Sequence, residues 1–337
     1  MTPSGTPHAT PSTPRDVAVA APPWAARAIE RLRAARRLPP GFRHVPVGGD
    51  ARSTSRDLAG VEVLWRYHLT PADLEAVVDA MPDLRWVHSD YTGVDDLPLD
   101  LLRTRGVLLT NGRGIAARPI AEWIVLAVLV AAKQLLRFVR QSDAHRWEQG
   151  EPLRELDTMV VLVLGLGTIG SLAARWLAQL GVEVRAAVRR PRPSPPEVAR
   201  LVVGDAWRDE LPDADVVVCA VPLTAQTAGM VDAAALAAMK PGAWLVNVAR
   251  GGLVDHGALL AALERGHLGG AVLDALPVEP LPPTDPLWGR PNVLVLPHVT
   301  WSSPRIMGEF AGLFADLLEQ YLAGTTPAGA VDLAAGY

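Results

Sequence analysis

The chain has 337 residues, and 49% of them are hydrophobic, which is enough for two domains of ordinary size. Its formal net charge is −4 at pH 7, so the composition argues against a protein that binds nucleic acid or an acidic membrane surface. A single cysteine, Cys219, excludes an intramolecular disulfide and is typical of a cytoplasmic protein. The apolar run at residues 123–132 is too short for a membrane span, which needs ~20 residues.

The first third of the chain alternates between short apolar runs and amphipathic ones. Residues 1–14 are rich in proline, threonine and serine, and we expect them to form a disordered tail without a secretory signal. Strands are predicted at residues 17–20, 61–65, 84–88 and 107–110, and helices at residues 23–37 and 71–80. This alternation predicts a parallel sheet covered by helices. A long helix is predicted next, from about residue 118 to about residue 141, and its apolar middle indicates burial.

A glycine-rich turn lies between a predicted strand at residues 159–164 and a predicted helix at residues 171–180. In this context Gly165 allows a tight turn, Gly167 lets the backbone approach a pyrophosphate, and Gly170 lets helix and strand pack closely. The helix N-terminus offers N–H groups and a partial positive charge to the phosphates. The turn and its flanking elements together predict a dinucleotide site.

The α/β alternation resumes after this turn. Strands are predicted at residues 182–188, 216–220, 244–248, 271–273 and 293–296. Asp232 and Asp255 are predicted to cap helices at their N-termini. A final helix follows Pro304, and its apolar face consists of Ile306, Phe310, Leu313, Phe314, Leu317 and Tyr321. We expect this helix to cross back to the first α/β unit.

Reactive side chains follow three of the strands that come after the glycine turn. They are Arg250, the acidic pair Asp274 and Glu279, and His298. Ligands of open α/β sheets bind beyond the carboxyl ends of the strands, so these groups are candidates for one site. A guanidinium binds a carboxylate through two hydrogen bonds, and an imidazole exchanges one proton near neutral pH. These are the groups needed to reduce a 2-oxo acid with a nicotinamide cofactor.

Several segments resemble the D-isomer-specific 2-hydroxyacid dehydrogenase family, over roughly residues 84–298. The segments that carry the resemblance are residues 111–122, 165–170, 221–224, 248–255, 273–280 and 296–298. The family's catalytic Arg, Glu and His fall on Arg250, Glu279 and His298, with the Glu paired to the His. Asp274 matches the residue that binds the nicotinamide amide.

The resemblance also implies the remaining site residues. It assigns Tyr91, Thr92, Gly93 and Val94 to a loop whose backbone N–H groups hold the substrate carboxylate. It places further cofactor contacts at Thr168, Ile169, Val221, Pro222, Thr227, Val248 and Ala249. No metal is expected.

The fold implied is α/β, with two Rossmann-like or flavodoxin-like parallel-sheet domains and a cleft between them. A discontinuous substrate domain is expected at residues 15–114 and 301–337, and the dinucleotide-binding domain at residues 115–300. The family also implies a homodimer formed mainly by the cofactor domains, and a small 2-oxo acid as the partner molecule.

The segment after the second strand of the cofactor domain indicates which dinucleotide binds. An acidic residue usually ends that strand and binds the ribose 2′-hydroxyl of NAD. Here Arg189, Arg190 and Arg192 follow Val188, so three guanidiniums are available for a 2′-phosphate. This segment resembles that of NADP-preferring glyoxylate/hydroxypyruvate reductases. We therefore expect NADP to be preferred over NAD, although a solvated basic loop is the alternative.

Bulky residues near the expected substrate site set this chain apart from the family. Tyr91 and Thr92 stand where family members often carry small residues, and Trp301 follows His298 by three positions. Arg66, Tyr67 and His68 follow the second predicted strand and are further candidates to line the site. Packing or surface roles are equally open for these residues. Glyoxylate and hydroxypyruvate are the default substrates.

Two other functions are compatible with the same residues. One is a phosphite-type dehydrogenase of small anions, which the Arg250, Glu279 and His298 set does not exclude. Formate dehydrogenases of this fold have Gln where this chain has Glu279, which argues against formate. The other is a nucleotide-sensing, corepressor-like binding protein. The absence of basic patches and long interaction tails in the sequence argues against that function.

Overall fold

A computed structural model describes residues 17–47, 58–66 and 69–336. The predicted tail at residues 1–14 and the candidates Tyr67 and His68 lie outside these residues. The chain divides into two compact units. Of the described residues, those up to Arg113 and those from Arg305 onward form one unit, and Gly114–Pro304 form the other.

The first unit is built on a five-stranded sheet in the order β2-β1-β3-β4-β5, in which all paired strands are parallel. Its strands are β1 (Ala18–Ala21), β2 (Arg43–Pro46), β3 (Val63–Arg66), β4 (Trp86–Ser89) and β5 (Leu108–Asn111). Its helices are α1 (Ala25–Ala34), α2 (Pro71–Asp79), α3 (Leu99–Thr104) and α9 (Ile306–Leu322). The predicted parallel, helix-covered sheet is confirmed for this unit.

Helix α9 completes the core of the first unit, although it follows the second unit in sequence. Its Phe314 is fully buried and stacks on Trp65 and Trp86, with ring centroids 4.3 and 5.6 Å apart. The Tyr321 hydroxyl donates to Glu62 at 3.1 Å. Burial of large aromatic side chains contributes strongly to core stability, so this unit depends on residues from both ends of the chain.

The second unit contains a seven-stranded sheet in the order β12-β11-β10-β9-β6-β7-β8, also parallel throughout. Its strands are β6 (Val160–Leu164), β7 (Glu183–Val188), β8 (Arg200–Val203), β9 (Val216–Cys219), β10 (Trp244–Asn247), β11 (Gly270–Leu273) and β12 (Val293–Val295). Its helices are α4 (Ala117–Ala132), α5 (Leu135–Asp143), α6 (Thr168–Gln179), α7 (Ala233–Ala238) and α8 (His256–Glu264). The strand order reverses at β6, and ligands of such sheets bind at this point.

The N-terminal caps of α7 and α8 are those predicted from the sequence. The Asp232 carboxylate accepts from the Ala235 N–H at 2.7 Å, and the Asp255 carboxylate accepts from the Ala258 N–H at 2.9 Å. Each cap satisfies an N–H group that has no partner within the helix.

The prediction of a single helix at residues 118–141 is wrong. Helix α4 ends at Ala132, α5 begins at Leu135, and the two axes are bent by 71°. Gln134 adopts the left-handed conformation with φ 48°, which no continuous α-helix tolerates. Among the described residues no single helix is long and apolar enough to cross a membrane, and only this bent pair reaches that length and hydropathy together.

Candidate active site

The glycine turn connects β6 to α6 at the point where the strand order reverses. Gly165 has a φ of +99°, in the region that favours glycine. A Cβ atom at Gly170 would lie 1.9 Å from the Gly165 carbonyl oxygen, so only glycine allows the first turn of α6 to pack against the end of β6. The predicted reason for this glycine is therefore confirmed.

The N-terminus of α6 fits a dinucleotide pyrophosphate. Gly167 is the N-cap residue. In the part of the chain that the structure describes, no side chain caps the first N–H groups of the helix, which follow at Thr168 and Ile169. A Cβ atom at Gly167 would meet none of the described residues within 4 Å beyond its chain neighbours, so they leave space open beside this end of the helix. Unpaired N–H groups and the helix dipole favour an anion at such a position.

The three predicted arginines follow β7, which ends at Val188. Arg192 Nη1 donates to the Leu166 carbonyl oxygen, within the glycine turn, at 3.1 Å. Arg189 and Arg190 are exposed residues immediately after the strand. The structure thus places one guanidinium against the turn and two more at the end of the adjoining strand.

The other predicted cofactor residues lie in loops after β9 and β10. Val221 Cγ1 would be 2.7 Å from a Cβ atom at Gly165, so this loop adjoins the glycine turn. The Thr227 hydroxyl donates to the Pro222 carbonyl at 2.6 Å, and the same hydroxyl accepts from the Thr224 N–H at 2.8 Å. These bonds close the loop on itself. Val248 and Ala249 directly follow β10.

His298 and Glu279 form a hydrogen-bonded pair. The distance from His298 Nδ1 to Glu279 Oε2 is 2.8 Å, and both side chains are about two-fifths exposed, at 40% and 38%. The other carboxylate oxygen of Glu279 accepts from the Leu276 N–H at 2.8 Å, which fixes the carboxylate. A carboxylate in this position orients the imidazole, with Nδ1 towards Glu279 and Nε2 left for another partner. The predicted pairing is present in the structure.

The backbone at His298 is itself held in an unusual conformation. Its φ is 52°, which costs about 1 kcal/mol for a residue other than glycine. The turn is fixed by the buried carboxylate of Asp274, which accepts from the Val299 N–H at 2.7 Å and from the Thr300 N–H at 3.3 Å. The Trp301 indole donates to the His298 carbonyl at 2.8 Å. Asp274 and Trp301 therefore position the imidazole through the main chain.

Arg250 lies in a turn that approaches the Glu279 loop closely. A Cβ atom at the next residue, Gly251, would be 1.9 Å from the Leu276 carbonyl carbon, so glycine is required for this approach. The buried amide of Asn247 supports the turn by donating to the Arg250 carbonyl at 2.9 Å and accepting from the Ala249 N–H at 3.1 Å. Arg250 Nη1 donates to the Ala249 carbonyl at 2.8 Å. The turns that carry Arg250 and Glu279 thus lie side by side.

The loop at residues 91–94 belongs to the first unit, at the carboxyl ends of β4 and β5. Asn111 Nδ2 donates to the Thr92 carbonyl at 2.7 Å, and the Gly112 N–H donates to the Tyr91 carbonyl at 3.3 Å. Gly93 and Val94 complete the loop, and Val94 is buried. Arg66 is also buried, at 3% exposure, with its guanidinium carbon 5.1 Å from the Tyr91 ring centroid.

Three positioning residues were not singled out from the sequence: Asn111, Asn247 and Thr300. Each is a polar residue at or just beyond the carboxyl end of a strand, and this is the signal by which Arg250 and His298 were found. The role that the resemblance implies for Asp274, binding of the nicotinamide amide, stays a prediction. Among the residues that the structure describes, no group of three or more His, Cys, Asp or Glu side chains forms a metal site.

Residues 125–300 match the family model described as D-isomer specific 2-hydroxyacid dehydrogenase, NAD binding domain. The chain is 34% identical over 270 residues to D-3-phosphoglycerate dehydrogenase of Mycobacterium leprae. The aligned region covers 79% of this chain and 50% of that protein. The chain thus spans about half the length of this relative.

Solved structures with the same architecture include proteins bound to NADPH or NADP. A D-isomer specific 2-hydroxyacid dehydrogenase from Xanthobacter autotrophicus, in complex with NADPH and MES, superposes with a TM-score of 0.81 at 30% identity, covering 96% of this chain and 100% of that one. An NADPH-dependent glyoxylate/hydroxypyruvate reductase from Sinorhizobium meliloti, in complex with NADP and sulfate, gives 0.81 at 27% identity, with coverage of 95% and 100%. The chain belongs to the D-isomer specific 2-hydroxyacid dehydrogenase family, as its motifs predict.

Proposed function

We propose that this protein is an NAD(P)-dependent oxidoreductase that interconverts a small 2-oxo acid and its D-2-hydroxy acid. The observation that carries the proposal is the His298–Glu279 pair, with 2.8 Å between Nδ1 and Oε2, in the unit that also contains the glycine turn. In its protonated form an oriented imidazole donates a proton from Nε2, and the turn fits a dinucleotide. The first unit is the proposed substrate domain.

The residues of the second unit have distinct roles in the proposed reaction. A nicotinamide cofactor, when bound at the glycine turn, supplies the hydride for reduction. His298 donates the proton to the carbonyl oxygen of the substrate from Nε2, because Nδ1 is hydrogen-bonded to Glu279. Glu279 stabilises the imidazolium, and Arg250 binds the carboxylate and polarises the carbonyl. In the first unit, backbone N–H groups at residues 91–94 bind the carboxylate.

A panel of 2-oxo acids tests this function directly. Oxidation of NADPH is followed at 340 nm with glyoxylate, hydroxypyruvate, pyruvate and longer acids, and we expect glyoxylate and hydroxypyruvate to give the highest kcat/KM. In the same assay, reduction of NADP⁺ with phosphite tests the small-anion dehydrogenase. A protein that binds NADPH but turns over none of these compounds would contradict the proposal and favour a nucleotide-sensing function.

The cofactor preference is proposed to depend on the three arginines after β7. With no carboxylate at the end of this strand and guanidiniums at Arg189, Arg190 and Arg192, we expect NADPH to be used with higher kcat/KM than NADH. The double variant Arg189→Ser/Arg190→Ser should lose about 10- to 100-fold with NADPH, the cost of one or two charged hydrogen bonds, and little with NADH. Arg265→Ser, at an exposed arginine after α8, is the matched control. Equal values for both cofactors in the unaltered enzyme would contradict the preference.

A homodimer formed by the second unit is the proposed assembly. Apolar side chains are exposed along α4, α5 and the segment after them: Leu126, Leu135, Val139, Trp147 and Leu153. Trp147 is 96% exposed, and aromatic residues of this kind are enriched at interfaces. Sedimentation velocity should therefore give a dimer for the unaltered protein and a monomer for Trp147→Lys. Trp288→Lys, at a half-exposed tryptophan of the same unit, should stay dimeric, and a monomeric unaltered protein would contradict the proposal.

A further inference from the structure

The loop at residues 90–94 is fixed by contacts from both neighbouring strands. From β3, Trp65 Nε1 donates to Asp90 Oδ1 at 2.8 Å, and both side chains are buried. From β5, Asn111 Nδ2 donates to the Thr92 carbonyl at 2.7 Å. A Cβ atom at Gly112 would lie 1.9 Å from the Asp90 carbonyl oxygen, so the loop packs directly on the end of β5. The main chain that carries Tyr91 therefore has little freedom.

The guanidinium of Arg66 supports the ring of Tyr91. Arg66 ends β3 and is 3% exposed, and its guanidinium carbon lies 5.1 Å from the ring centroid. A guanidinium within about 6 Å of an aromatic centroid is attracted to the ring, more strongly where water is excluded. The Tyr91 side chain is only partly exposed. A charged, buried group thus holds a bulky ring on this loop.

Asp96 in turn fixes the guanidinium. Arg66 Nη2 donates to Asp96 Oδ2 at 2.5 Å and to the Leu69 carbonyl at 3.0 Å, and Nη1 donates to the Ser89 hydroxyl at 3.3 Å. The Asp96 side chain is 45% exposed, so it compensates the charge of Arg66 without being buried itself. Three acceptors in different segments leave the guanidinium in one position.

We propose that Arg66 and Asp96 are positioning residues for Tyr91, and that the fixed Tyr91 ring restricts the substrate to 2-oxo acids with a small substituent on the carbonyl carbon. This inference rests on the proposed function, in which residues 91–94 bind the substrate carboxylate. A ring that follows directly from that backbone and is held by the Arg66 guanidinium limits the space beside the bound acid. One extra methylene in a tight pocket changes kcat/KM by about 10- to 200-fold, so a fixed ring is sufficient for strong selection.

Substrate selectivity of three variants tests the inference. The ratio of kcat/KM for 2-oxoisovalerate to that for glyoxylate is measured with NADPH. We expect Tyr91→Ala to raise this ratio at least 10-fold, mainly through a lower KM for the larger acid. Asp96→Asn should raise it about 3-fold, since the guanidinium loses its charged partner. Arg66→Gln should raise it more than Arg66→Lys, because lysine keeps a cation near the ring.

Two measurements separate selectivity from folding. Asp100→Asn is the matched control, since Asp100 forms an exposed ion pair with Arg103 in the same unit and the variant makes the same chemical change. It should leave the ratio unchanged. The NADPH Kd, from fluorescence titration, should be unaltered in every variant because the glycine turn lies in the other unit. Asp96→Asn is the variant that keeps the test decisive if Arg66→Gln does not fold.

The outcomes distinguish this inference from the proposed function. An unchanged kcat/KM ratio in Tyr91→Ala would overturn the inference, and so would an equal loss of kcat for both acids in Asp96→Asn. Neither result would affect the proposed function, provided that the unaltered enzyme reduces glyoxylate. An unaltered enzyme that reduced no 2-oxo acid would overturn both.

Discussion

At the scale of single residues, His298 combines a reactive side chain with a constrained backbone. Its imidazole is oriented by Glu279, and its left-handed main chain is held by Asp274 and Trp301. Strained residues of this kind persist where the surrounding structure fixes them, and they cluster at functional sites. The left-handed backbone of His298 and its hydrogen bond to Glu279 therefore both support the proposed role of this residue as the proton donor.

Replacing His298 by asparagine removes the proton donor while keeping a residue that tolerates a positive φ. We expect kcat for glyoxylate reduction to fall by about 10²- to 10⁴-fold, with the NADPH Kd and the melting temperature close to those of the unaltered protein. His256→Asn is the matched control, because His256 forms a 2.9 Å pair with Asp285 in the same unit but outside the site. A near-normal kcat in His298→Asn would show that another group supplies the proton.

The chemically reactive residues of this site could be predicted from the sequence more readily than the residues that position them. Arg250, Glu279 and His298 carry groups whose chemistry is recognisable after a buried strand. Asn247 donates to the main chain at Arg250, and the main-chain N–H of Thr300 donates to Asp274. Such contacts depend on how close two loops come in three dimensions. That proximity, as at Gly251 and Leu276, is a property of the folded sheet and has no local sequence pattern.

At the scale of elements, Gly167 and Gly170 have different roles at the junction of β6 and α6. Gly170 makes a steric contact within the protein, since a Cβ atom there would be 1.9 Å from the Gly165 carbonyl oxygen. Gly167 makes no such contact with the residues that the structure describes, since a Cβ atom there would meet none of them within 4 Å. Packing requires Gly170, and the phosphate site proposed above accounts for Gly167.

Alanine at each of these positions should separate folding from cofactor binding. Gly170→Ala should lower the melting temperature by several degrees and weaken NADPH binding together, because α6 must move away from β6. Gly167→Ala should keep the melting temperature of the unaltered protein and weaken NADPH binding about 10-fold or more, because the methyl group occupies the space of the pyrophosphate. Calorimetry and fluorescence titration check both values. Unchanged NADPH binding in Gly167→Ala would contradict the proposed phosphate site.

The elements that were predicted differ physically from those that were missed. Strands β6, β9 and β10 are almost fully buried and appear as continuous apolar runs. Strands β2 and β8 lie at the sheet edges and are largely exposed, so neither apolar runs nor alternation mark them. The break between α4 and α5 escaped prediction because apolar content continues on both sides of Gln134.

At the scale of the whole molecule, the stability of the second unit is linked to the ionisation of Asp215. This buried side chain accepts from Lys240 Nζ at 2.7 Å, from the Val160 N–H at 2.9 Å and from Arg154, and so connects the start of β6 to the turn between α7 and β10. Burial raises the pKa of Asp215, but the hydrogen bonds from Arg154, Lys240 and Val160 outweigh burial and hold that pKa below its usual range. Two further carboxylates of this unit also have a lowered pKa, Asp213 through Arg185 and Asp232 through Arg208.

These lowered pKa values fix the sign of the acid response. A carboxylate whose folded-state pKa lies below its unfolded value of ~3.9 contributes its full stability above that value and loses it as the pH falls through the folded pKa. The urea midpoint of unfolding should thus be nearly constant from pH 7 to pH 5 and fall steeply below about pH 4. Asp215→Asn should lower the midpoint at pH 7, because Arg154 and Lys240 lose their common partner, and should make the fall below pH 4 shallower. Asp209→Asn, at an exposed carboxylate of the same unit, controls for the loss of one charge. If both variants followed the acid profile of the unaltered protein, the linkage through Asp215 would be wrong.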